Sequence, residues 1–526
     1  MLEIIAAWRG LLKHRAGVAL AIVALAIASS SAALVFTVVN AVLVRPLPIA
    51  DAARVAIIWE KRKSEPGKYG VSGADFYDWQ SGAAPSIESM TAQDEHSMIL
   101  AGSEPRRVMA VLSTAGFFET FGVSPVLGSI GDGRGAFLSC GLWQRRFGGD
   151  LRIAGQKIQL DGMSYEIAGV LPADFRMFFG RAPADVYLPL EMPPQLRQSR
   201  DDHSFFVTAR LRAGASFREL SDELDIVNAR LQHEFPKTNT GHDALVIPVT
   251  TEVTASARAP LMMLSGAVAL LLLLACANVA NLLLARNQAR SQEMAIRQAL
   301  GAALTDSAKL VLAESLMLSL AAGLAGLIAA RLAVPLMRAI VPRSIGPVIL
   351  PGLDRLEIDS TVMLFSAAVC GFMALAGAIV PLRRLNAPLS RWRSTKPQRI
   401  LAIAQIAIAC ALSTGGVALL MSYGRLMKIE PGFGVANRQV ASLSVTANNN
   451  ASKILEAVSA MPGIKSAAMA SIAPGTIGGP RTGIRLTTDP PTQTIEVAKK
   501  AFFRIVTPRF MRTARIRIIE GREFAD

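Results

Sequence analysis

The residues best placed to do chemistry lie in a polar stretch between two apolar runs, RNQARSQEMAIRQALGAA at residues 286–303. At helical spacing, its apolar side chains fall on one face: Ile296, Leu300 and Ala303. Charged and amide side chains cover the rest: Arg290, Glu293, Arg297 and Gln298. Glu293 precedes Arg297 by four residues, the favourable order for a helical ion pair, and Gly301 predicts a bend before the next apolar run. Such a helix can dock on a partner protein, lie on lipid headgroups, or act only as a basic topogenic loop.

A second group of polar residues lies inside the flanking apolar runs. Asn278 and Asn281 are three residues apart and therefore share one face of a helix. Glu314 lies in the following run, where a carboxylate is costly unless it faces protein or reaches the interface. One hypothesis is that Glu314 accepts hydrogen bonds from Asn281 or pairs with Arg286; the alternative is that it snorkels to the headgroups. Small residues in the same run predict close helix packing: Ala322, Gly326 and Ala330.

The motifs of common catalytic sites are absent from the sequence. It contains no GxxxxGK[ST], GxSxG or HExxH pattern, and its histidines are scattered. GDGRG at 131–135 lacks the spacing of a phosphate loop and predicts a turn. DDH at 201–203 is not expected to bind metal, because three consecutive side chains rarely converge on one ion. The sequence therefore predicts no catalytic residue, no cofactor site and no metal ligand.

Composition narrows the class of protein. The chain has 526 residues, 51% of them hydrophobic, and a mean hydropathy of +0.37, which is high for a soluble enzyme. Its net charge is +15, but the basic clusters sit beside apolar runs, where Lys and Arg set topology or meet anionic headgroups. No nucleic-acid motif accompanies them, so nucleic acid is not an expected partner. The four cysteines form no CxxC or Cys/His cluster, so neither structural zinc nor a disulfide framework is expected.

Five apolar stretches are long enough to cross a bilayer, which takes about 20 residues. They are Ala16–Val44, Leu261–Ala285, Ala308–Val334, Thr361–Leu382 and Ile400–Met421. The first follows basic residues and contains SSSAA, as a signal peptide would. However, its apolar run continues well past those small residues, so an uncleaved anchor is the preferred interpretation.

Short basic loops predict the orientation, because positively charged loops stay in the cytoplasm. Arg and Lys cluster before the first span, between the second and third, and between the fourth and fifth. The N-terminus is therefore expected in the cytoplasm. The predicted division is a cytoplasmic N-terminus (1–15), a first span (16–44), an extracytoplasmic α+β domain (45–259), a second span (260–285), a cytoplasmic coupling segment (286–307), a third span (308–338), a short extracytoplasmic loop (339–360), a fourth span (361–382), a cytoplasmic basic linker (383–399), a fifth span (400–423) and a second, incomplete extracytoplasmic segment (424–526).

The large extracytoplasmic segment mixes strand and helix signals. KIQLDGMSYEIAGV alternates apolar and polar residues on both sides of Asp161-Gly162, which predicts a two-residue hairpin. Ser216 is the expected N-cap of a helix that follows it. Apolar residues recur at helical spacing in that helix: Leu220, Leu224, Val227 and Leu231. A mixed α+β domain is therefore predicted.

The chain contains a weak internal echo. LSTAGFFETFGVSPVLG at 112–128 aligns without gaps to IVTPRFMRTARIRIIEG at 505–521. Each follows a basic cluster, one span and a Pro-containing exit; the alternative is chance similarity between two amphipathic stretches. If the echo is a repeat, a second copy begins near residue 400 and is cut short, as expected of a fragment or a truncated gene product.

LLACANVANLLLARNQARSQEMAIRQALGAA, followed by LAESLMLSLAAGLAGL, resembles the second and third spans of MacB/FtsX-type ABC transporter permeases. SCGLWQRRFGGD, LDGMSYEIAGVLPADF and EPGF are similar to the periplasmic core domain of that family. Within it, the duplicated orphan branch of acidobacterial type is most similar. GSIGDGRGAF at 128–137 departs from the longer acidic linker expected there, and the early end is a second departure.

The resemblance implies a helical membrane protein with five spans and a MacB-like α+β extracytoplasmic core domain. It also implies a multi-pass protein of the bacterial inner membrane, with the large domain in the periplasm. A separate cytoplasmic ABC ATPase is the implied partner and hydrolyses the ATP, so the chain is not expected to be an enzyme. The residues implied to couple to that ATPase are Arg290, Glu293, Ile296, Arg297, Leu300 and Gly301. Membrane lipid and a second permease copy or homodimer are further expected partners.

Three function classes remain open at this stage. The first is a permease subunit that couples ATP hydrolysis to movement of extracytoplasmic domains, in efflux or envelope export. The second is a membrane-anchored binding or scaffold protein without a dedicated ATPase. The third, a secondary transporter, would need paired charges or broken helices near mid-membrane, which Glu314 alone does not supply.

Overall fold

The computed structural model describes residues 15–63, 67–131, 133–177, 183–289, 304–341, 344–345, 348–350, 352–353, 356–385, 396–429, 432–434, 437–441, 451–472, 481–484, 499–502 and 504–524. The helices are α1 Arg15–Val39, α2 Gly73–Asp78, α3 Phe117–Phe121, α4 Cys140–Phe147, α5 Pro194–Gln198, α6 Phe217–Glu234, α7 Pro236–Asn239, α8 Val249–Ala289, α9 Leu304–Ile340, α10 Ser360–Leu385, α11 Lys396–Met427, α12 Ala451–Ser459 and α13 Phe510–Ala514. The strands are β1 Val55–Arg62, β2 Ile87–Leu100, β3 Arg106–Ser113, β4 Leu127–Gly128, β5 Ala136–Leu138, β6 Lys157–Leu160, β7 Met163–Val170, β8 Val186–Pro189, β9 Phe206–Leu211, β10 His242–Pro248, β11 Ser344–Ile345, β12 Val348–Ile349, β13 Arg481–Ile484 and β14 Lys499–Phe502.

Ten strands form one mixed sheet between the first and second membrane helices. Its order is β10-β1-β9-β2-β3-β8-β5-β7-β4, and β6 pairs with both β2 and β7. The β3–β8 and β5–β7 pairs are parallel, and the other pairs are antiparallel. The strands that join the membrane, β1 and β10, are neighbours in the sheet.

The first five residues of strand β1 are covered on both faces, which explains why all five are apolar. Ile57 and Trp59 face a cluster that includes Val249 at the start of α8. Ala56 and Ile58 face the opposite cluster, which includes the buried residues of α6. The sheet is therefore packed between α6 on one side and the first turns of α8 on the other.

The predicted local elements of this domain are confirmed. Strands β6 and β7 pair around Asp161 and Gly162, whose φ angles of 48° and 83° fit the left-handed turn of a tight hairpin. Ser216 caps α6 in a capping box with Glu219. The apolar residues predicted to face the core are buried: Leu220, Leu224, Val227 and Leu231.

Five helices among the described residues are long and apolar enough to cross a membrane, as predicted. These segments are Gly17–Val44, Val249–Ala285, Val311–Ile340, Ser360–Ile379 and Gln398–Leu426. The second differs most from its predicted span, because the helix begins twelve residues before Leu261. The reason is tertiary: Val249 and Val253 pack in the sheet core, so the helix extends beyond any bilayer requirement.

The first four apolar helices pack together, and small residues allow the closest approach. A Cβ added at Gly326 on α9 would meet the Ser29 side chain of α1, and Ala322 and Ala330 of the same stripe are buried. The predicted stripe therefore faces α1. Helix α11 packs against α8, and most of its apolar side chains are exposed.

Candidate coupling helix and membrane polar site

The predicted coupling residues lie outside the described part of the chain. They are Arg290, Glu293, Ile296, Arg297, Leu300 and Gly301. The structure describes the helices on either side, α8 ending at Ala289 and α9 beginning at Leu304. Both helices therefore extend four residues into the predicted coupling segment, 286–307.

Helix α8 is continuous from the sheet domain to the edge of that segment. Val249 and Val253 belong to the sheet core, and Ala257 lies in a second cluster with the ends of α1 and α9. Further along, Leu272 and Leu283 pack in the membrane bundle. At about 1.5 Å per residue, its 41 residues span roughly 60 Å. One helix thus belongs to both the sheet domain and the bundle.

Asn278 and Asn281 meet the same residue of the fifth apolar helix. The Gln405 amide nitrogen donates to Asn278 Oδ1 at 2.9 Å, and Asn281 Nδ2 donates to Gln405 Oε1 at 3.1 Å. The two asparagines share a face of α8, as their spacing predicts, and that face holds α11. Sequence analysis missed Gln405; a single amide inside an apolar run was the signal that could have identified it.

Glu314 of α9 is enclosed by protein, with 2% of its surface exposed. The next residue, Ser315, donates to the backbone oxygen of Ala374 on α10 at 2.7 Å. Asn281 donates to Gln405, and the proposed bond from Asn281 or Arg286 to Glu314 stays a prediction. Burial favours a protein-facing role for Glu314 over snorkelling to lipid.

Polar contacts also fasten the helices near the sheet domain. Asp359 immediately precedes α10, and its Oδ2 accepts from two residues that follow α1. Asn40 donates to it at 3.0 Å and Arg45 at 3.4 Å. Lys68, between β1 and α2, pairs with buried Glu252 in the first turn of α8. These contacts link the sheet domain to α8 and the end of α1 to α10.

A group able to hold a metal forms away from the predicted coupling site. In the described part of the chain, Glu60, His203 and His242 place one ligand atom each within 4.8 Å of the others. Asp201 and Asp202 are exposed, so the consecutive DDH residues do not converge. His203 instead turns towards residues distant in sequence, an arrangement that spacing along the chain could not reveal.

Comparisons with known proteins identify two families along the chain. The MacB-like periplasmic core domain matches residues 18–227, and the FtsX-like permease C-terminal domain matches residues 265–389. No curated protein matches the chain.

Similar solved structures are parts of permease or transporter proteins. One is a permease-protein domain from Porphyromonas gingivalis, 23% identical, with a TM-score of 0.32, covering 39% of this chain and 92% of that one. Another is the extracellular domain of the noncanonic ABC-type transporter YknZ from Gram-positive bacteria, with 13% identity, a TM-score of 0.28, and coverage of 36% and 99%. A third is the periplasmic region of MacB from Actinobacillus actinomycetemcomitans, with 12% identity, a TM-score of 0.29, and coverage of 39% and 94%.

The two family matches follow one another in the order of the fold. The MacB-like match covers α1 and most of the sheet domain, and the FtsX-like match covers most of α8 together with α9 and α10. The chain therefore belongs to the MacB/FtsX-type ABC transporter permeases, multi-pass proteins of the inner membrane with a MacB-like α+β extracytoplasmic domain.

Proposed function

We propose that this chain transmits the work of a separate cytoplasmic ATPase to its extracytoplasmic domain. The observation that carries the proposal is the continuity of α8, which packs in the sheet core at Val249 and ends at Ala289, beside the predicted coupling segment. Helix α8 contains an internal proline, Pro260, where a backbone hydrogen bond is lost, but the helix continues without a loop on both sides of it. A displacement of its cytoplasmic end would therefore reach the sheet without passing through a flexible loop.

The attachment of the sheet to the bundle supports the same proposal. Chain from α1 enters the sheet at β1, and chain leaves it for α8 from the adjacent strand β10. Seven residue pairs join these strands, from Ala56↔Pro248 to Arg62↔His242. Relative movement of the first and second spans would therefore act on neighbouring strands and turn or shear the whole domain.

The partner-docking site is proposed at 290–301. Its motifs resemble those of the family, and ABC-type permeases work with an ATPase on the cytoplasmic side. Reversing two charges, Arg290→Glu with Arg297→Glu, should abolish copurification of a P-loop ATPase identified by mass spectrometry. The matched control reverses Arg383 and Arg384 in the other basic loop and should leave the ATPase bound.

Two outcomes of that experiment contradict the proposal. Retention of the ATPase by the Arg290/Arg297 variant would move the docking site elsewhere. Failure of the unmodified chain to bring down any ATPase would favour the other class, a membrane-anchored binding or scaffold protein without a dedicated ATPase.

The orientation is proposed with the N-terminus and residues 286–307 in the cytoplasm. In a variant lacking the four native cysteines, Gln292→Cys should react with an impermeant thiol reagent only after spheroplasts are permeabilised. Ile226→Cys, at an exposed position on α6, should react before permeabilisation. Reaction of Cys at 292 in intact spheroplasts would overturn the orientation and the coupling role with it.

A further inference from the structure

Three residues far apart in sequence converge at one end of the sheet. Glu60 lies on β1, His242 begins β10, and His203 precedes β9. Pairing of β1 with both β10 and β9 brings them together, and a bridge between Val71 and Phe205 holds the segment after His203 in place. Two imidazoles and one carboxylate therefore share a single half-buried space.

One of the two distances in this cluster fits the spacing of ligands that share one ion, and the other is shorter, at hydrogen-bond distance. His203 Nδ1 lies 2.7 Å from Glu60 Oε2, and His242 Nδ1 lies 3.4 Å from Glu60 Oε1. Ligands of a tetrahedral ion with bonds of about 2.0–2.1 Å stand about 3.3 Å apart. The two rings are 5.5 Å apart and steeply inclined, at 72°, so neither stacks on the other.

The two Nδ1 atoms are buried, yet neither makes a hydrogen bond of acceptable geometry. Buried polar atoms are normally satisfied, so two in one cluster call for an explanation. Contacts that are short but not directed as hydrogen bonds are expected of converging ligands, because such atoms aim at a common ion and not at one another.

Arg62 is placed as an outer partner of the cluster. Its Nε donates to Glu60 Oε1 at 2.8 Å, and its guanidinium lies 4.6 Å from the centre of the Tyr69 ring. One carboxylate oxygen is thus oriented by Arg62, while Oε2 faces His203. Hydrogen-bonded outer partners of this kind orient metal-binding carboxylates.

We propose that Glu60, His203 and His242 form a binding site for a divalent transition-metal ion of the Zn²⁺ class. Imidazole nitrogens favour such ions over Ca²⁺ and Mg²⁺, which prefer oxygen ligands. Three protein ligands leave a fourth position for water or another small ligand. The bound ion would fasten the segment that contains His203 to the β1–β10 pair, next to the strands that join the membrane. The site is independent of ATPase coupling.

The test uses the full chain in lipid nanodiscs, stripped with a chelator and then titrated with Zn²⁺. We expect saturable binding of one ion per chain, and a visible absorption band of low-symmetry Co²⁺ when Co²⁺ replaces Zn²⁺. His203→Ala and His242→Ala should each weaken Zn²⁺ binding by more than about 100-fold, since loss of an outer partner alone costs 10- to 100-fold. The matched control is His96→Ala, whose imidazole pairs with Asp94 away from the cluster and should not affect binding.

Glu60 is buried, so Glu60→Gln is compared only after its metal-free melting curve matches that of the unmodified chain. If it does not fold, the two histidine variants decide the question. Absence of saturable Zn²⁺ binding, or equal binding by the His203, His242 and His96 variants, would show an imidazole–carboxylate hydrogen-bond network and overturn the proposal. Neither outcome bears on the binding of an ATPase.

Discussion

Residues 112–128 and 505–521 adopt the same local structure in different surroundings. Both contain a five-residue helix, α3 and α13, preceded and followed by a residue in the left-handed region. In the first, these residues are Gly116 and Gly122; in the second, they are Arg509 and Arg515. Arginine rarely adopts this conformation, so side-chain preference does not explain its recurrence at both aligned positions.

The aligned threonines before the two helices each bond to a backbone group from an earlier segment of the chain. Thr114 Oγ1 accepts from the backbone N–H of Ala92 at 3.0 Å, and Thr507 Oγ1 accepts from that of Met469 at 2.8 Å. These matched bonds support the proposal that the chain after the fifth span repeats the beginning of the first extracytoplasmic domain.

The packing of the two segments differs. Phe117 has four aromatic rings with centroids between 4.9 and 6.0 Å away: Phe118, Phe121, Phe175 and Tyr187. The residue aligned with Phe121 is Ala514, so this part of the cluster has no counterpart around Phe510. The comparison teaches that the short helix, its left-handed flanking residues and the threonine bond recur in both segments, whereas the aromatic core around the helix depends on the rest of the domain.

The largest contrast is expected at the aligned phenylalanines. Phe117→Ala should lower the free energy of unfolding of the first domain by roughly 3–5 kcal/mol, because it leaves a cavity among aromatic rings. Phe510→Ala should leave the same transition unchanged. Tryptophan fluorescence during urea unfolding measures the transition of the first domain, which contains Trp59, Trp79 and Trp143. Residues 424–526 contain no tryptophan. Equal effects of the two variants would contradict the comparison.

Glycines at the ends of the two segments sharpen this comparison of packing. Gly128 and Gly521 have φ angles of 83° and 93°, so alanine at either is strained by about 1–2 kcal/mol. At Gly128 the added Cβ would also overlap the Ala168 backbone oxygen, whereas nothing lies within 4 Å at Gly521. Gly128→Ala should therefore destabilise its domain by about 2–5 kcal/mol. The effect of alanine at Gly128 or Gly521 is measured as the protease resistance of the segment that contains it. A larger effect at Gly521 would contradict the conclusion that the first segment is the more tightly packed of the two.

The first and fifth membrane helices, α1 and α11, precede the two segments and differ in the same way. A Cβ added at Gly326 of α9 would meet Ser29 of α1, whereas on α11 a Cβ at Gly416 would meet no described atom within 4 Å. Gly326→Val should destabilise the bundle by about 1–3 kcal/mol through overpacking, and Gly416→Val should have almost no effect. Melting curves of both variants in detergent test this, and equal melting temperatures would indicate that α11 is packed as tightly as α1.

The amide contacts of Gln405 should couple α11 to α8 weakly. A double-mutant cycle of Asn281→Leu and Gln405→Leu should give a coupling energy near 0.6 kcal/mol and below about 1.7 kcal/mol, the range for hydrogen bonds between membrane helices. Reversible unfolding in SDS measures it. A coupling energy of zero would mean that these bonds do not hold α11 in place.

The smallest effect is the pH dependence, which should be confined to the first domain. The pKa of His242 is lowered by burial, so its contribution to stability is lost as pH falls below the unfolded value of about 6.5. The pKa of His96 is raised by its hydrogen bond to Asp94, so its contribution is present at low pH and lost as pH rises. Between pH 7.5 and 5.5 in metal-free buffer, His242→Gln should reduce the acid destabilisation and His96→Gln should increase it.

Hydrogen exchange measures these pH-dependent changes in stability separately in each segment of the chain. Residues 424–526 contain no histidine, so their opening free energy should not follow these variants. Parallel changes in the first domain and in residues 424–526 would show that the two unfold as one unit.

Sequence patterns predicted the elements whose causes lie within a few neighbouring residues. The hairpin at Asp161-Gly162 follows from turn chemistry, and α6 follows from the Ser216 cap and its apolar spacing. The five membrane helices follow from length and hydropathy. The start of α8 could not be predicted, since Val249 is helical because the sheet core covers it.

The sequence by itself determined the class of protein, because long apolar runs must be hydrogen-bonded helices in a bilayer and alternating runs with tight turns must pair as strands. Only the tertiary structure decided which distant polar groups meet. Strand order brings Glu60, His203 and His242 together, and helix packing brings Gln405 to Asn278 and Asn281. Such convergence depends on pairing between segments more than a hundred residues apart, for which a single sequence carries no periodic signal.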